Sequence, residues 1–214
     1  MCAACGLAPA AALAGTVDQQ QIDSSGSSYA IASNGSLAQT FTAGLSGGVD
    51  RVDLNLQKFG APTAPLSIEI RDVSGGVPGS TVLASASVPS SSVPTVRSFV
   101  PIGFATPAAV VAGTQYAIVA FSPTPFGPND YAWSVGGTAN PYEGGGGFGT
   151  GTIPPAPPWT ALPAQDFAFQ TYVATVATAP GPTGERSAAL KKCKKKHSAK
   201  KRKKCRRKAR RLPV

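Results

Sequence analysis

The clearest fold signal is the alternation of apolar and polar residues in Val52-Asp-Leu-Asn-Leu-Gln57 and again in Leu66-Ser-Ile-Glu-Ile-Arg71. A period of two puts successive side chains on opposite faces of an extended chain, so each stretch predicts a half-buried β-strand. The polar partners in these strands, such as Asp53 and Glu69, are then expected to face solvent. Between later runs lie turn residues such as Ser74-Gly-Gly-Val-Pro-Gly-Ser80, which glycine and proline favour for backbone reasons.

Further strand-like runs follow at short, regular intervals, and no segment shows sustained helical periodicity. They are Ala38–Ala43, Thr81–Val88, Val96–Ile102, Gln115–Ser122, Tyr131–Val135 and Asp166–Thr175. The polar stretch 18–36 is an edge strand or a loop, and residues 136–163 form a long irregular region. Strands spaced in this way predict an all-β fold, an antiparallel β-sandwich.

Charge divides the chain into two parts of opposite sign. The last 29 residues hold 16 of the 20 Lys/Arg residues and none of the ten acidic residues, so residues 1–185 carry a net charge of −6 although the whole chain carries +10. A run of like charges cannot pack against itself, so this tail is predicted to be disordered or weakly helical. The predicted organisation is a leader (1–15), a β-sandwich domain (16–176), a Pro/Gly linker (177–185) and a basic tail (186–214).

The leader is small and apolar, and Ala12-Leu13-Ala14 fits a signal-peptidase site before Gly15. It lacks the basic residues that open a complete signal peptide, so it resembles a truncated one, and we expect it to be disordered. No run approaches the 18 apolar residues that a membrane-spanning helix needs. These features favour a secreted protein held at the cell surface or in the cell wall.

The body resembles the choice-of-anchor R type of bacterial surface domain. The matching segments span roughly residues 37–173 and include Gln39–Ala43, Val52–Leu56, Val110–Val119, Asn140–Tyr142 and Asp166–Val173. The resemblance implies a jelly-roll-like β-sandwich displayed on an exported protein. It implies no reaction, because no enzymatic activity is established for the family. The chain departs from the family's usual anchors in ending in a Lys/Arg tail with two cysteines.

Catalytic and metal chemistry find little support in the body. The only histidine is His197, in the tail, so residues 1–185 offer no base for a serine or cysteine nucleophile. We therefore predict no enzyme activity and no cofactor. Asp130 and Asp166 are weak candidates for a structural calcium site, although no D-x-D-x-D-G loop is present.

Two binding interpretations concern the aromatic residues and the tail cysteines. Trp133, Tyr142 and Trp159 lie in or beside the long irregular region and are candidates to stack on a glycan, or alternatively to pack in the core. In the tail, Cys193 and Cys205 are candidates for a disulfide, within the chain or between chains, which export would favour.

The tail itself predicts a polyanionic partner. Acidic cell-envelope polymers, anionic lipid headgroups or acidic polysaccharide are the expected partners of an exported chain, and nucleic acid is the alternative for an internal one. The predicted polyanion-binding residues are Lys191, Lys192, Lys194, Lys195, Lys196, Lys200, Lys201, Arg202, Lys203, Lys204, Arg206, Arg207, Lys208, Arg210 and Arg211. The predicted function is display of a β-sandwich by a cationic anchor, with glycan binding or nucleic-acid binding as alternatives.

Overall fold

The computed structural model describes residues 15–137, 142–174, 185–194 and 198–210, which fall into two compact units divided after Thr175. The described part of the first unit is built almost wholly of antiparallel β-strands. They are β1 (Thr16–Gln21), β2 (Ser28–Ile31), β3 (Ser36–Thr42), β4 (Gly47–Lys58), β5 (Leu66–Ser74), β6 (Val77–Val88), β7 (Ser98–Val110), β8 (Gln115–Phe121), β9 (Tyr131–Ser134), β10 (Gly147–Thr150), β11 (Thr160–Leu162) and β12 (Phe169–Ala174). Residues 1–14 of the leader lie outside the described residues.

The strands form two sheets with a jelly-roll order. In the first sheet β12 lies between β1 and β4, and β7 pairs with the other edge of β4; the second contains the order β3-β8-β5-β6. Successive strands from β3 onward alternate between sheets or turn back as hairpins, which gives the double Greek key of a jelly roll. The pair β2–β9 extends the first sheet, and β10–β11 extends the second. The predicted all-β, jelly-roll-like sandwich is confirmed.

The core lies between the sheets and is filled by the apolar partners of the predicted alternation. Leu54 and Leu56 of β4 and Ile68 and Ile70 of β5 are fully buried in one cluster. Phe41, Tyr131, Trp133, Phe167 and Phe169 add the largest buried side chains. Burying each large apolar side chain contributes on the order of 1.5–3 kcal/mol to the stability of the fold. Apolar burial therefore stabilises a sandwich whose sequence has few charged residues.

The outer face of the second sheet is also covered, which the alternation did not predict. Ala38, Ala117 and Val119 point outward from β3 and β8 and pack beneath Phe148 and Trp159 in a second, smaller apolar cluster. The covering residues come from the region 136–163, which contains β10 and β11 instead of being wholly irregular. Its glycine run fits closely on β3, since a Cβ on Gly145 would collide with the carbonyl of Thr40.

The second unit, residues 176–214, is described over two helices, α1 (Glu185–Lys194) and α2 (Ala199–Ala209). Of the two predicted alternatives for the tail, disordered or weakly helical, the helical one agrees with the described residues. Within the described ranges, neither helix has the length and apolar content needed to cross a bilayer.

Candidate functional site

The two tail helices are joined by a disulfide and form a helical pair, here called the cationic hairpin (185–194 and 198–210). Cys193 in the last turn of α1 is bonded to Cys205 in the middle of α2, with their Cα atoms 5.5 Å apart. That separation is typical of an unforced disulfide. Of the pairings the sequence left open, the structure therefore has the one within the chain, which fixes the two short helices against each other.

Small residues form the seam between these helices. Cys193 is fully buried and Ala209 is 3% exposed, and Ala189, Lys192 and Lys208 lie beside them around the disulfide. Ala189 and Cys193 are four residues apart, as are Cys205 and Ala209, so each pair lies on one face of its helix. Small side chains let the helix backbones approach closely. Packing the two helices together therefore buries no charged group. Only the apolar part of a lysine side chain lies beside the seam.

The remaining positions of the cationic hairpin point basic side chains into solvent. All described Lys and Arg side chains from Lys191 to Arg210 are exposed, and the sequence has no acidic residue after Glu185. One groove runs along α2 and is lined by residues three or four positions apart on one helix face. They are Ala199, Arg202, Lys203, Arg206, Arg207 and, directly after the helix, Arg210. Lys195, Lys196 and Arg211, also predicted to bind polyanions, lie outside the described residues. A surface of this charge density attracts anions over a range that salt shortens.

The three aromatic residues predicted to stack on a glycan are buried. Trp133 is 0%, Tyr142 8% and Trp159 9% exposed. Trp133 stacks on Phe167 at 4.6 Å between ring centroids and its indole N–H donates to the carbonyl of Ala168. A sugar needs the open face of a ring, so none of the three offers a platform in this conformation. The structure supports the alternative interpretation, in which these three aromatic side chains pack inside the protein.

The candidate calcium ligands also occupy separate, buried places. The Asp166 carboxylate accepts hydrogen bonds from the Gln39 amide at 3.0 Å and from the backbone N–H of Tyr142 at 3.2 Å. Burial raises the pKa of Asp166, while these hydrogen bonds lower it. Burial likewise raises the pKa of Asp130. Within the described ranges no three His, Cys, Asp or Glu side chains come together as a metal site.

Asp166 instead belongs to a buried network that ties distant segments together. Gln39 on β3 accepts from the backbone N–H of Phe167 at 2.7 Å, and the Gln21 amide donates to the Asp166 carbonyl at 3.1 Å. The phenol of Tyr142 donates to Gln19 on β1 at 2.9 Å, and burial raises the pKa of Tyr142 to about 12. A buried network that is fully hydrogen-bonded specifies one arrangement of the strands.

Two further polar clusters correct the expectation that Asp53 and Glu69 are simply solvated. Asp53 is 8% exposed, because Arg51 binds it through two nitrogens and the Tyr172 hydroxyl donates to it at 3.0 Å. Hydrogen bonding to Asp53 raises the pKa of Arg51. Glu69 pairs with the buried Arg71, whose guanidinium also donates to the carbonyl of Pro155 at 3.0 Å.

No protein-family model matches the chain, and no curated protein matches it. The resemblance to the choice-of-anchor R domain therefore stays a prediction, although the jelly-roll order agrees with the fold it implied.

The seam of the cationic hairpin was not predicted from the sequence. The only pattern that could have indicated it is the spacing of Ala189, Cys193, Cys205 and Ala209 among the lysines and arginines.

Proposed function

We propose that this protein is a non-enzymatic, exported surface protein that displays its β-sandwich and is retained by the cationic hairpin. The hairpin binds acidic polymers of the cell envelope or anionic lipid headgroups by multivalent charge pairing. Affinity arises largely from the release of counterions that had condensed on the polyanion, so it requires density of charge and no unique pocket.

The observation that carries the proposal is the combination of exposed cations with a covalently fixed scaffold. Eight of the eleven residues of α2 are Lys or Arg, and no acidic side chain follows Glu185 to neutralise them. The Cys193–Cys205 bond and the small-residue seam hold these charges on a preformed surface. A preformed surface loses less conformational entropy on binding than a disordered tail does.

Export is supported by the same disulfide. Such bonds persist in oxidising compartments and are rare where cytosolic thiols are kept reduced. The first unit has the opposite charge, with a net −6 over residues 1–185, so it contributes no attraction to an acidic surface. Binding and display are thereby assigned to different parts of the chain.

The test is retention of purified protein on isolated cell envelopes and on poly(glycerol phosphate) across a salt series. In one variant the five lysines of α2 are changed to glutamine; in the matched control the same five are changed to arginine. They are Lys200, Lys201, Lys203, Lys204 and Lys208. On a phosphate polymer each lost contact should reduce the slope of log affinity against log salt by roughly 0.7–0.9.

We expect the glutamine variant to lose retention and the arginine variant to keep it. Glutamine-variant binding that equals wild type at every salt concentration contradicts the proposal. Double-stranded DNA is the comparison ligand. If it binds more than about tenfold tighter than poly(glycerol phosphate) at matched salt, nucleic acid replaces the envelope polymer as the partner.

A further inference from the structure

A shallow, open cleft lies on the sandwich where the edges of the two sheets meet. One wall is Tyr29 on β2; the other walls come from the turn into β3 and from β10 and β11. The cleft has a volume of about 320 Å³, near the lower end of the range of about 300–1,000 Å³ seen for small-molecule sites. All of the residues that line it are uncharged.

The ring of Tyr29 packs against the core beside this cleft. It packs edge-on against Phe167 at 5.7 Å between ring centroids, and Phe167 in turn stacks on Trp133. Phe167 and Trp133 are fully buried, whereas Tyr29 is half-buried, so Tyr29 is the outermost ring of a three-ring cluster. Phe167 and Trp133 therefore support the ring from the core side.

Polar side chains line the same cleft as the ring. The hydroxyl of Tyr29 and the side chains of Asn34 and Thr160 make no hydrogen bond to any residue that the structure describes. Asn34 and Thr160 are exposed on two different walls, while Leu37 and Leu162 supply apolar surface below. Gly151 leaves the mouth open, since a Cβ there would meet nothing closer than the Asn34 carbonyl at 4.0 Å.

We propose that this cleft, here called the Tyr29 cleft, binds a neutral saccharide unit. A sugar ring presents an apolar C–H face and a rim of hydroxyls, and it carries no charge. Tyr29 offers a half-buried aromatic ring, and its neighbours offer amide and hydroxyl groups that can exchange hydrogen bonds with the rim. An anionic ligand would find no cation in this lining. The inference does not rest on the proposed role of the cationic hairpin.

The test is calorimetric titration of the full-length, oxidised protein with cellohexaose, xylohexaose and mannohexaose. About 1 M NaCl is used, because at that concentration the Debye length is about 3 Å and attraction to the hairpin is suppressed. At least one oligosaccharide is expected to bind. Tyr29→Ala removes the platform and Gly151→Leu fills the mouth; each should weaken binding at least tenfold.

Phe126→Ala is the matched control, because Phe126 is 62% exposed and does not line the cleft; it should bind like wild type. Gly151→Leu removes no core atom, so it tests the site even if Tyr29→Ala destabilises the sandwich. Two results overturn the proposal: none of the three oligosaccharides binds the wild type, or Gly151→Leu binds as well as wild type. Neither result bears on the proposed retention by polyanions, because that proposal is tested separately by the α2 lysine substitutions.

Discussion

Removing the disulfide of the cationic hairpin should unfold its helices and leave the β-sandwich intact. The perturbation is the double substitution Cys193→Ser and Cys205→Ser. Both residues lie in the second unit, and neither contributes to the sandwich core. Serine keeps the size of the side chains while removing the covalent link, so any change reports on the bond.

The magnitude follows from two opposing quantities. The bond joins residues twelve positions apart, and closing a loop of about that size stabilises a structure by about 3 kcal/mol. Repulsion within α2 opposes this stabilisation, because each pair of like charges four residues apart destabilises the helix by about 0.2–0.5 kcal/mol. Four such pairs, together about 1–2 kcal/mol, are Lys200/Lys204, Arg202/Arg206, Lys203/Arg207 and Lys204/Lys208. A helix of eleven residues is marginal in water even without this repulsion.

Loss of about 3 kcal/mol lowers the folded-to-unfolded ratio of the hairpin by a factor on the order of 10². The assay is far-UV circular dichroism at low ionic strength, with near-UV dichroism of the buried Trp133 as the internal control for the sandwich. We expect the helical signal to fall, the near-UV signal to persist, and high salt to restore part of the helix by screening the lysines and arginines. An unchanged helical signal at low salt would refute the reasoning.

Two further predictions concern the first unit. The pKa of Asp166 is raised by burial, so its carboxyl stabilises the fold most below the unfolded pKa of about 3.9, and that contribution is lost as pH rises through the folded pKa. The stability advantage of wild type over Asp166→Asn, measured by urea unfolding, should therefore be larger at pH 4 than at pH 7; an equal difference at both contradicts it. Trp159→Ala should cost about 3 kcal/mol by exposing the outer apolar cluster, whereas Phe126→Ala should cost less than about 0.5 kcal/mol. Similar urea midpoints for these two variants would show that Trp159 is not a structural cover.

The fold was predictable where the sequence carries a local period. Alternation in β4 and β5 identifies both strands, because a buried face requires an apolar residue at every second position. Their outer faces were not predictable in this way. Asp53 is buried by Tyr172 and Arg71 lies beneath Pro155, and these partners are far away in sequence.

The candidate site was predictable in charge but not in shape. The run of lysines and arginines indicates a polyanion-binding segment whatever its conformation. The two short helices pack along a seam formed by Ala189, Cys193, Cys205 and Ala209. The spacing of these four residues is hard to recognise in a sequence in which most of their neighbours are lysine or arginine. The Tyr29 cleft was missed because Tyr29 lies in a polar stretch with no period, and its neighbours in space come from three separate segments.

The position of β12 between β1 and β4 has a consequence for how the chain reaches its native state. The first sheet pairs Thr16 with Val173, so its centre is incomplete until nearly the whole domain has been synthesised. Pairings between residues so distant in sequence make folding slow, because the entropy of closing the chain is lost before the contacts form. A chain emerging from its N-terminus cannot settle into this sandwich early. The first sheet is therefore completed only after β12 has been synthesised and has paired with β1 and β4.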